Sequence, residues 1–224
     1  MIKNISNLGD AALYCDFGKN INKETNSYVI KYFDKIKQLK IENINNIIPS
    51  YNKLIISYDL NRINYKELKD LIEKIQIDQT DSEKKNILEI PICCEEPYSL
   101  DFNRLETKLK LSKKQILQNF LNKKYFCYMT GFIAGMPFLG DLNENMRTNR
   151  LETPRVKVPK GSIGITEQFA NIYTFESPGG WNIIGNTPKK VFDNFNEDKP
   201  NLINPGDTVI FKEITKDEYL NYEQ

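Results

Sequence analysis

The chain has 224 residues, enough for one large domain or two small ones with proper cores. Its 31 basic and 30 acidic residues give a net charge of +1. The chain therefore lacks the excess of positive charge expected of a protein that binds nucleic acid or an anionic membrane. No apolar run approaches the roughly 20 residues that span a bilayer, and the N-terminus lacks a signal-peptide core, so we expect a cytoplasmic protein.

The first 76 residues alternate between strand and helix patterns. The apolar spacing predicts strands over 2–5, 11–17, 44–48 and 54–58 and helices over 22–39 and 65–75. Asn64 with Glu67 three residues later predicts a capping box at the start of the second helix. The order ββαββα predicts a small two-layer α+β domain with both helices on one face of an antiparallel sheet.

Residues 76–85 are polar, carry both signs of charge and show no apolar period, which is typical of a linker. We therefore predict two domains, a small α+β domain with its linker over 1–84 and a second domain over 85–224. The second domain begins with a strand over 86–93, in which Pro91 indicates a sheet edge. Two short helices are predicted to begin at Asp101 and Ser112, with Gln115 completing a capping box.

The rest of the second domain is built from short units separated by turns. Strands are predicted over 125–129, 156–158, 162–166, 172–175, 181–184 and 208–214. Regularly spaced short strands of this kind predict a closed or nearly closed β-barrel. The tail over 219–224 is expected to be loose.

The residue types restrict the chemistry that the chain can perform. It contains no His, which removes Ser-His-Asp and Cys-His catalysis and His-ligated zinc. The four Cys form no CxxC pair and are interpreted as small buried thiols, so no metal site is predicted. Neither a GxxxxGK[ST] nor a GxGxxG motif is present, so the sequence predicts no nucleotide site in this chain. No catalytic residue is assigned.

Residues 131–193 hold eight of the 11 Gly and much of the Pro, Arg and aromatic content of the chain. Three motifs follow one another there: GF-x-x-G-x-P-x-LG, R-L-x-TPR-x-x-VP-x-GSI and IY-x-x-ESPGGWN-x-IG-x-TP. This order resembles the B-subunit family of ATP-dependent 5-oxoprolinase, which includes the KipI proteins and is also labelled allophanate hydrolase subunit 1. The resemblance covers nearly the whole chain, although residues 167–171 replace a Gly-rich run that is typical of the family.

The resemblance implies a cyclophilin-like barrel for the second domain. It implies a non-autonomous subunit of a complex that uses ATP to convert 5-oxo-L-proline to L-glutamate, with ATP bound at the level of the complex. The expected partners are a carboxyltransferase-type C subunit and a LamB/YcsF-type A subunit. The alternative is a KipI-like inhibitor that binds a sensor histidine kinase, and the motifs do not separate the two.

Two arginines are candidates for binding an anionic substrate. Arg150 and Arg155 flank Thr153-Pro154, and a guanidinium group binds a carboxylate with two parallel hydrogen bonds. The structural alternative is that they hold loops together by bonding to carbonyls or acids such as Glu152 and Glu176.

The SPGGW block supplies the next candidates, Ser177, Gly179, Gly180 and Trp181. Adjacent glycines can present backbone N–H groups to an anion, as a nest does, or can simply turn a strand corner. Residues 131–140 are predicted to form a loop across the barrel mouth. Its Phe132 and Phe138 are candidates for a partner surface, with ordinary core packing as the alternative. If a partner docks here, Phe132, Phe138 and Trp181 should lie near one another and be partly exposed.

Overall fold

The computed structural model describes residues 1–77 and 85–223, which form two compact units, Met1–Lys85 and Asn86–Gln224. Most of the predicted linker, residues 78–84, lies outside the described residues. The expected fold class, an α+β unit followed by a β-barrel, is confirmed.

The first unit is a four-stranded antiparallel sheet with two helices. Its elements are β1 (Asn4–Asn7), β2 (Ala12–Asp16), α1 (Lys23–Leu39), β3 (Ile44–Pro49), β4 (Lys53–Tyr58) and α2 (Tyr65–Glu73). The strand order is β1-β2-β4-β3, and alternate residues of β2 and β4 are buried under both helices in one core, which confirms the two-layer prediction. The capping box of Asn64 and Glu67 is formed as predicted.

The second unit is built around a closed barrel of seven strands. Its elements are β5 (Ile87–Cys93), α3 (Phe102–Leu109), α4 (Lys113–Leu121), β6 (Lys124–Thr130), β7 (Pro137–Gly140), β8 (Arg155–Val158), β9 (Ser162–Thr166), β10 (Phe169–Ile172), β11 (Ser177–Gly179), β12 (Asn182–Asn186), β13 (Thr208–Ile214) and α5 (Lys216–Leu220). The barrel order is β10-β7-β6-β13-β5-β12-β9, and β8 and β11 form a separate two-stranded sheet. The capping box of Ser112 and Gln115 is also formed.

Three local predictions in the second unit were wrong. The strand predicted over 172–175 is Phe169–Ile172 instead, because β10 ends where the chain turns toward the SPGGW block. The loop predicted before Gly140 contains a barrel strand, β7. The tail is not loose at Tyr219, whose ring packs on Tyr98 at 4.1 Å and whose hydroxyl donates to Asn186 Oδ1 at 2.8 Å.

Pro91 lies in a closed barrel and not at a free sheet edge. Its strand, β5, pairs in parallel with β13 along its whole length, but it meets β12 only through Asn186 and Cys93. On its β12 side, the strand that contains Pro91 therefore has almost no ladder that a missing N–H could interrupt.

Candidate functional site

Six of the eight residues selected from the sequence line one cavity of about 100 Å³ in the barrel unit. We call this cavity the aromatic pocket; its lining is Phe132, Met136, Phe138, Arg150, Tyr173, Gly179, Gly180 and Trp181. Drug-sized ligands occupy pockets of about 300–1,000 Å³. The aromatic pocket is therefore suited to a small molecule, or to one part of a larger ligand.

Three aromatic side chains form its walls at different depths. Phe132 is 71% exposed and has a left-handed φ of 69°, which is unusual for a bulky residue. Phe138 is half-buried and meets Trp181 edge-to-face, with ring centroids 5.6 Å apart. The three rings lie together as expected, but the prediction that Trp181 is partly exposed was wrong, since it is only 6% exposed.

The reason for the burial of Trp181 lies in the strand beside it. Gly164 in β9 has no side chain, and an added Cβ there would lie 2.9 Å from the Cβ of Trp181. Trp181 therefore sits directly over the barrel wall, between β11 and β12, with Phe138 against its ring. The indole is packed as part of the protein while still forming one side of the pocket.

Arg150 is an exposed side chain on a firmly held backbone. The Asn182 amide donates to the Asn149 carbonyl at 3.1 Å, Arg104 donates to the Arg150 carbonyl at 3.3 Å, and the Leu151 N–H donates to the Gly180 carbonyl at 2.7 Å. Its guanidinium makes no ion pair with any described residue. The fold thus positions a cation at the pocket and leaves its charge available to a ligand.

Arg155 does not line the aromatic pocket. Its Nη2 donates to Asp101 Oδ1 at 2.6 Å, and the other oxygen of this buried carboxylate accepts from the Ile183 N–H, also at 2.6 Å. The structural alternative therefore holds for Arg155, although its partner is Asp101 at the start of α3 and neither Glu152 nor Glu176. One further guanidinium nitrogen, Nη1, is buried without a hydrogen-bond partner among the described residues.

The SPGGW block forms a strand corner and not a nest. Neither Gly179 nor Gly180 has the positive φ that a nest requires. Gly179 is needed for space, because a Cβ there would lie 2.8 Å from Cζ of Tyr173, whereas Gly180 has only ordinary contacts. Ser177 pairs with Val158 in the β8–β11 sheet, outside the pocket lining, and its buried hydroxyl has no described hydrogen-bond partner.

Sequence reasoning missed two residues of the lining, Met136 and Tyr173, and only Tyr173 adds a polar side chain. It is 1% exposed, lies just after β10 and lines the aromatic pocket beside Gly179. Burial raises the pKa of Tyr173, while the Asn171 side chain, the Trp181 backbone and the charges of Arg150 and Arg155 offset part of that rise. At neutral pH its side chain is therefore a phenol able to donate a hydrogen bond. Its place in the IY-x-x-ESPGGW motif was the available signal.

The thiols of the chain are not poised for chemistry. Cys15, Cys93, Cys94 and Cys127 are all buried and free, and burial raises the pKa of Cys15 to about 12. Within residues 1–77 and 85–223, no group of His, Cys, Asp and Glu side chains could hold a metal ion. The same part of the chain contains no helix both long and apolar enough to cross a membrane.

The chain matches the model of the family described as carboxyltransferase domain, subdomain C and D, over residues 3–203. It is 30% identical to the 5-oxoprolinase B subunit of Bacillus subtilis, across 98% of this chain and 96% of the relative. It is 35% identical to the 5-oxoprolinase B subunit of Haemophilus influenzae, across 78% of this chain and 82% of that protein.

A solved structure shares the fold. TTHA0988 superimposes with a TM-score of 0.82 at 27% identity, over 91% of this chain, which spans 40% of the TTHA0988 chain. The family resemblance carried by the three motifs is thereby confirmed. The chain belongs to the carboxyltransferase subdomain C and D family, together with the 5-oxoprolinase B subunits.

Proposed function

We propose that this chain is the B subunit of an ATP-dependent 5-oxoprolinase complex, which converts 5-oxo-L-proline to L-glutamate. The observation that carries the proposal is the similarity to the 5-oxoprolinase B subunit of Bacillus subtilis over almost the full length of both proteins. The composition of the aromatic pocket supports it, because the pocket combines one available cation with apolar walls.

The substrate is small, carries one carboxylate and has an apolar ring face. In the proposed complex, Arg150 binds the carboxylate through paired charge-assisted hydrogen bonds. The ring methylenes lie against Phe138 and Trp181, and the Tyr173 hydroxyl donates to the lactam oxygen. These roles use the cavity as it is built and require no metal.

Opening the lactam breaks the ring C–N bond; water supplies a hydroxyl to the acyl carbon, and the nitrogen leaves as the amine of glutamate. The amide is stable, so the reaction is coupled to hydrolysis of ATP to ADP and phosphate. Because the chain lacks a recognised nucleotide motif, the proposal assigns ATP to the complex. The partners are a carboxyltransferase-type C subunit and a LamB/YcsF-type A subunit.

The exposed Phe132 suits a contact with one of these partners. A phenyl ring that is 71% exposed, held in a left-handed backbone conformation at the pocket entrance, is costly to leave in water. Aromatic residues are enriched at the centres of protein interfaces. Docking of a partner on Phe132 would also close the aromatic pocket around its ligand.

The test is reconstitution from purified subunits. Glutamate release from 5-oxo-L-proline is measured with ATP, with and without this chain, and ATP-free mixtures serve as controls. We expect release only when this chain, both partner subunits and ATP are all present. A folded, complete mixture that releases no glutamate would refute the assignment. Inhibition of a histidine kinase by the same preparation would then favour the KipI-like alternative.

A further inference from the structure

A second cavity of the barrel unit concentrates positive charge. It measures about 210 Å³, and we call it the lysine pocket after Lys160, Lys189 and Lys190, which line it with Thr187 and Tyr219. No acidic side chain contributes to its described lining. Positive charges gathered around one small cavity repel one another, and an anion bound there would relieve that repulsion. We propose that the lysine pocket binds a phosphoryl group.

The three lysines differ in how many hydrogen bonds and ion pairs their ammonium groups already make with the protein. Lys160 makes no ion pair within the described part of the chain. Lys189 donates one hydrogen bond to the backbone carbonyl of Glu89 at 3.3 Å, which leaves two of its three protons. Lys190 pairs with Asp193 at 2.8 Å, and this exposed pair is weak. The pocket therefore keeps an uncompensated positive charge.

The charges of Lys160 and Lys190 both act on the carboxyl group of Asp193. Lys190 lowers the pKa of the Asp193 carboxyl, and Lys160 adds to that effect through its charge. The two lysines belong to separate loops, one before β9 and one after β12, and both line the cavity. A dianionic phosphoryl group satisfies several point charges at once, whereas a carboxylate is better matched by the planar fork of an arginine.

The floor of the lysine pocket is built from fixed groups. Thr187 is 3% exposed, and its hydroxyl oxygen accepts from the Lys189 N–H at 3.2 Å, so its own proton remains to be donated. Gly161 has a left-handed φ of 82° and is held by hydrogen bonds to the Tyr173 carbonyl and from the Thr187 N–H. Asn186 donates to the Lys160 carbonyl at 2.9 Å. The loop that carries Lys160 is therefore positioned before a ligand arrives.

Tyr173 lines both the lysine pocket and the aromatic pocket, so the two cavities are neighbours across one residue. The phosphoryl site nevertheless rests on the lining of the lysine pocket and does not depend on the 5-oxoprolinase assignment. Two kinds of ligand carry such a phosphoryl group: a free or small-molecule phosphate, and a nucleotide.

The experiment is calorimetric titration of the isolated full-length chain with inorganic phosphate and, separately, with ADP, at low ionic strength. The variants are Lys160→Met, the double variant Lys160→Met with Lys189→Met, and Lys157→Met. Lys157 is the matched control, because it loses the same charge three residues away, is exposed and lies outside the lining. Lys157 and Lys160 are exposed and Lys189 is half-buried, and thermal melts check that the variants stay folded.

We expect at least one probe to bind, and Lys160→Met to weaken it by roughly tenfold or more, with a larger loss in the double variant. Lys157→Met should change the affinity less than about twofold. Equal affinity for the two probes would identify phosphate itself as the ligand, and tighter binding of ADP would identify a nucleotide. Absence of binding at millimolar concentrations of both probes would overturn the proposal. So would an equal response of the Lys160→Met and Lys157→Met variants.

Discussion

Trp181 and Phe132 line the same pocket, yet they should respond oppositely to truncation. Trp181 is 6% exposed, packs edge-to-face on Phe138 and lies against Gly164. Removing a buried aromatic side chain costs about 3–5 kcal/mol of unfolding free energy, because both burial and packing contacts are lost. We therefore expect Trp181→Ala to lose about that amount.

Phe132→Ala is the control for this prediction. Its ring is 71% exposed, so truncation removes little buried area, and the unfolding free energy should change by no more than about 0.5 kcal/mol. If the exposed ring contacts a partner subunit, the same variant should weaken a pull-down by that partner. The two substitutions thus separate packing from partner binding.

The assay is denaturant unfolding followed by far-UV circular dichroism, because Trp181 is the only tryptophan and its removal abolishes the indole signal. The change in midpoint at constant slope gives the difference in stability. A loss below about 1 kcal/mol for Trp181→Ala would refute the packing described for the indole, since surface substitutions produce changes of that size.

Three further predictions concern other parts of the chain. Asp101→Ala removes one partner of a buried ion pair and should cost about 3 kcal/mol, the low end of the usual range because the guanidinium is partly exposed; thermal melts measure it. Gly179→Ala should cost about 1–3 kcal/mol by crowding the Tyr173 ring, while Gly180→Ala should cost less in the same melts. Burial raises the pKa of Cys15 from 9.0 to about 12, so its contribution to stability is full below pH 9 and lost as pH rises toward 12. Denaturant midpoints across that window should fall less steeply in Cys15→Ala.

Local signals predicted the elements well. The capping boxes at Asn64 and Ser112 each depend on residues three positions apart, and both are formed. The alternation of apolar residues in β2 and β4 likewise places one face of each strand in the core, whatever the rest of the chain does.

The errors concern contacts between residues far apart in sequence. Arg155 binds Asp101, 54 residues away, and no local pattern separates this pairing from one with Glu152. The burial of Trp181 depends on Gly164 and Phe138, which belong to other strands. Tyr173 is a nearer case, because Gly179, six residues later, leaves room for its ring. The candidate site could therefore be located from its motif, but the exposure of its members could not.

The role proposed for Arg150 is to bind the carboxylate of 5-oxo-L-proline in the aromatic pocket. The direct measurement is steady-state kinetics of the reconstituted complex with Arg150→Met, and with Arg147→Met as the control. Arg147 is a nearby exposed arginine that donates to the Leu142 carbonyl and lies outside the pocket lining.

We expect Arg150→Met to reduce kcat/KM for 5-oxo-L-proline by roughly ten- to a hundredfold, mainly through KM, with the unfolding midpoint unchanged. Arg147→Met should remain within about twofold of the unmodified complex. Equal kinetics for the two variants, in complexes that assemble normally, would contradict the role of the pocket.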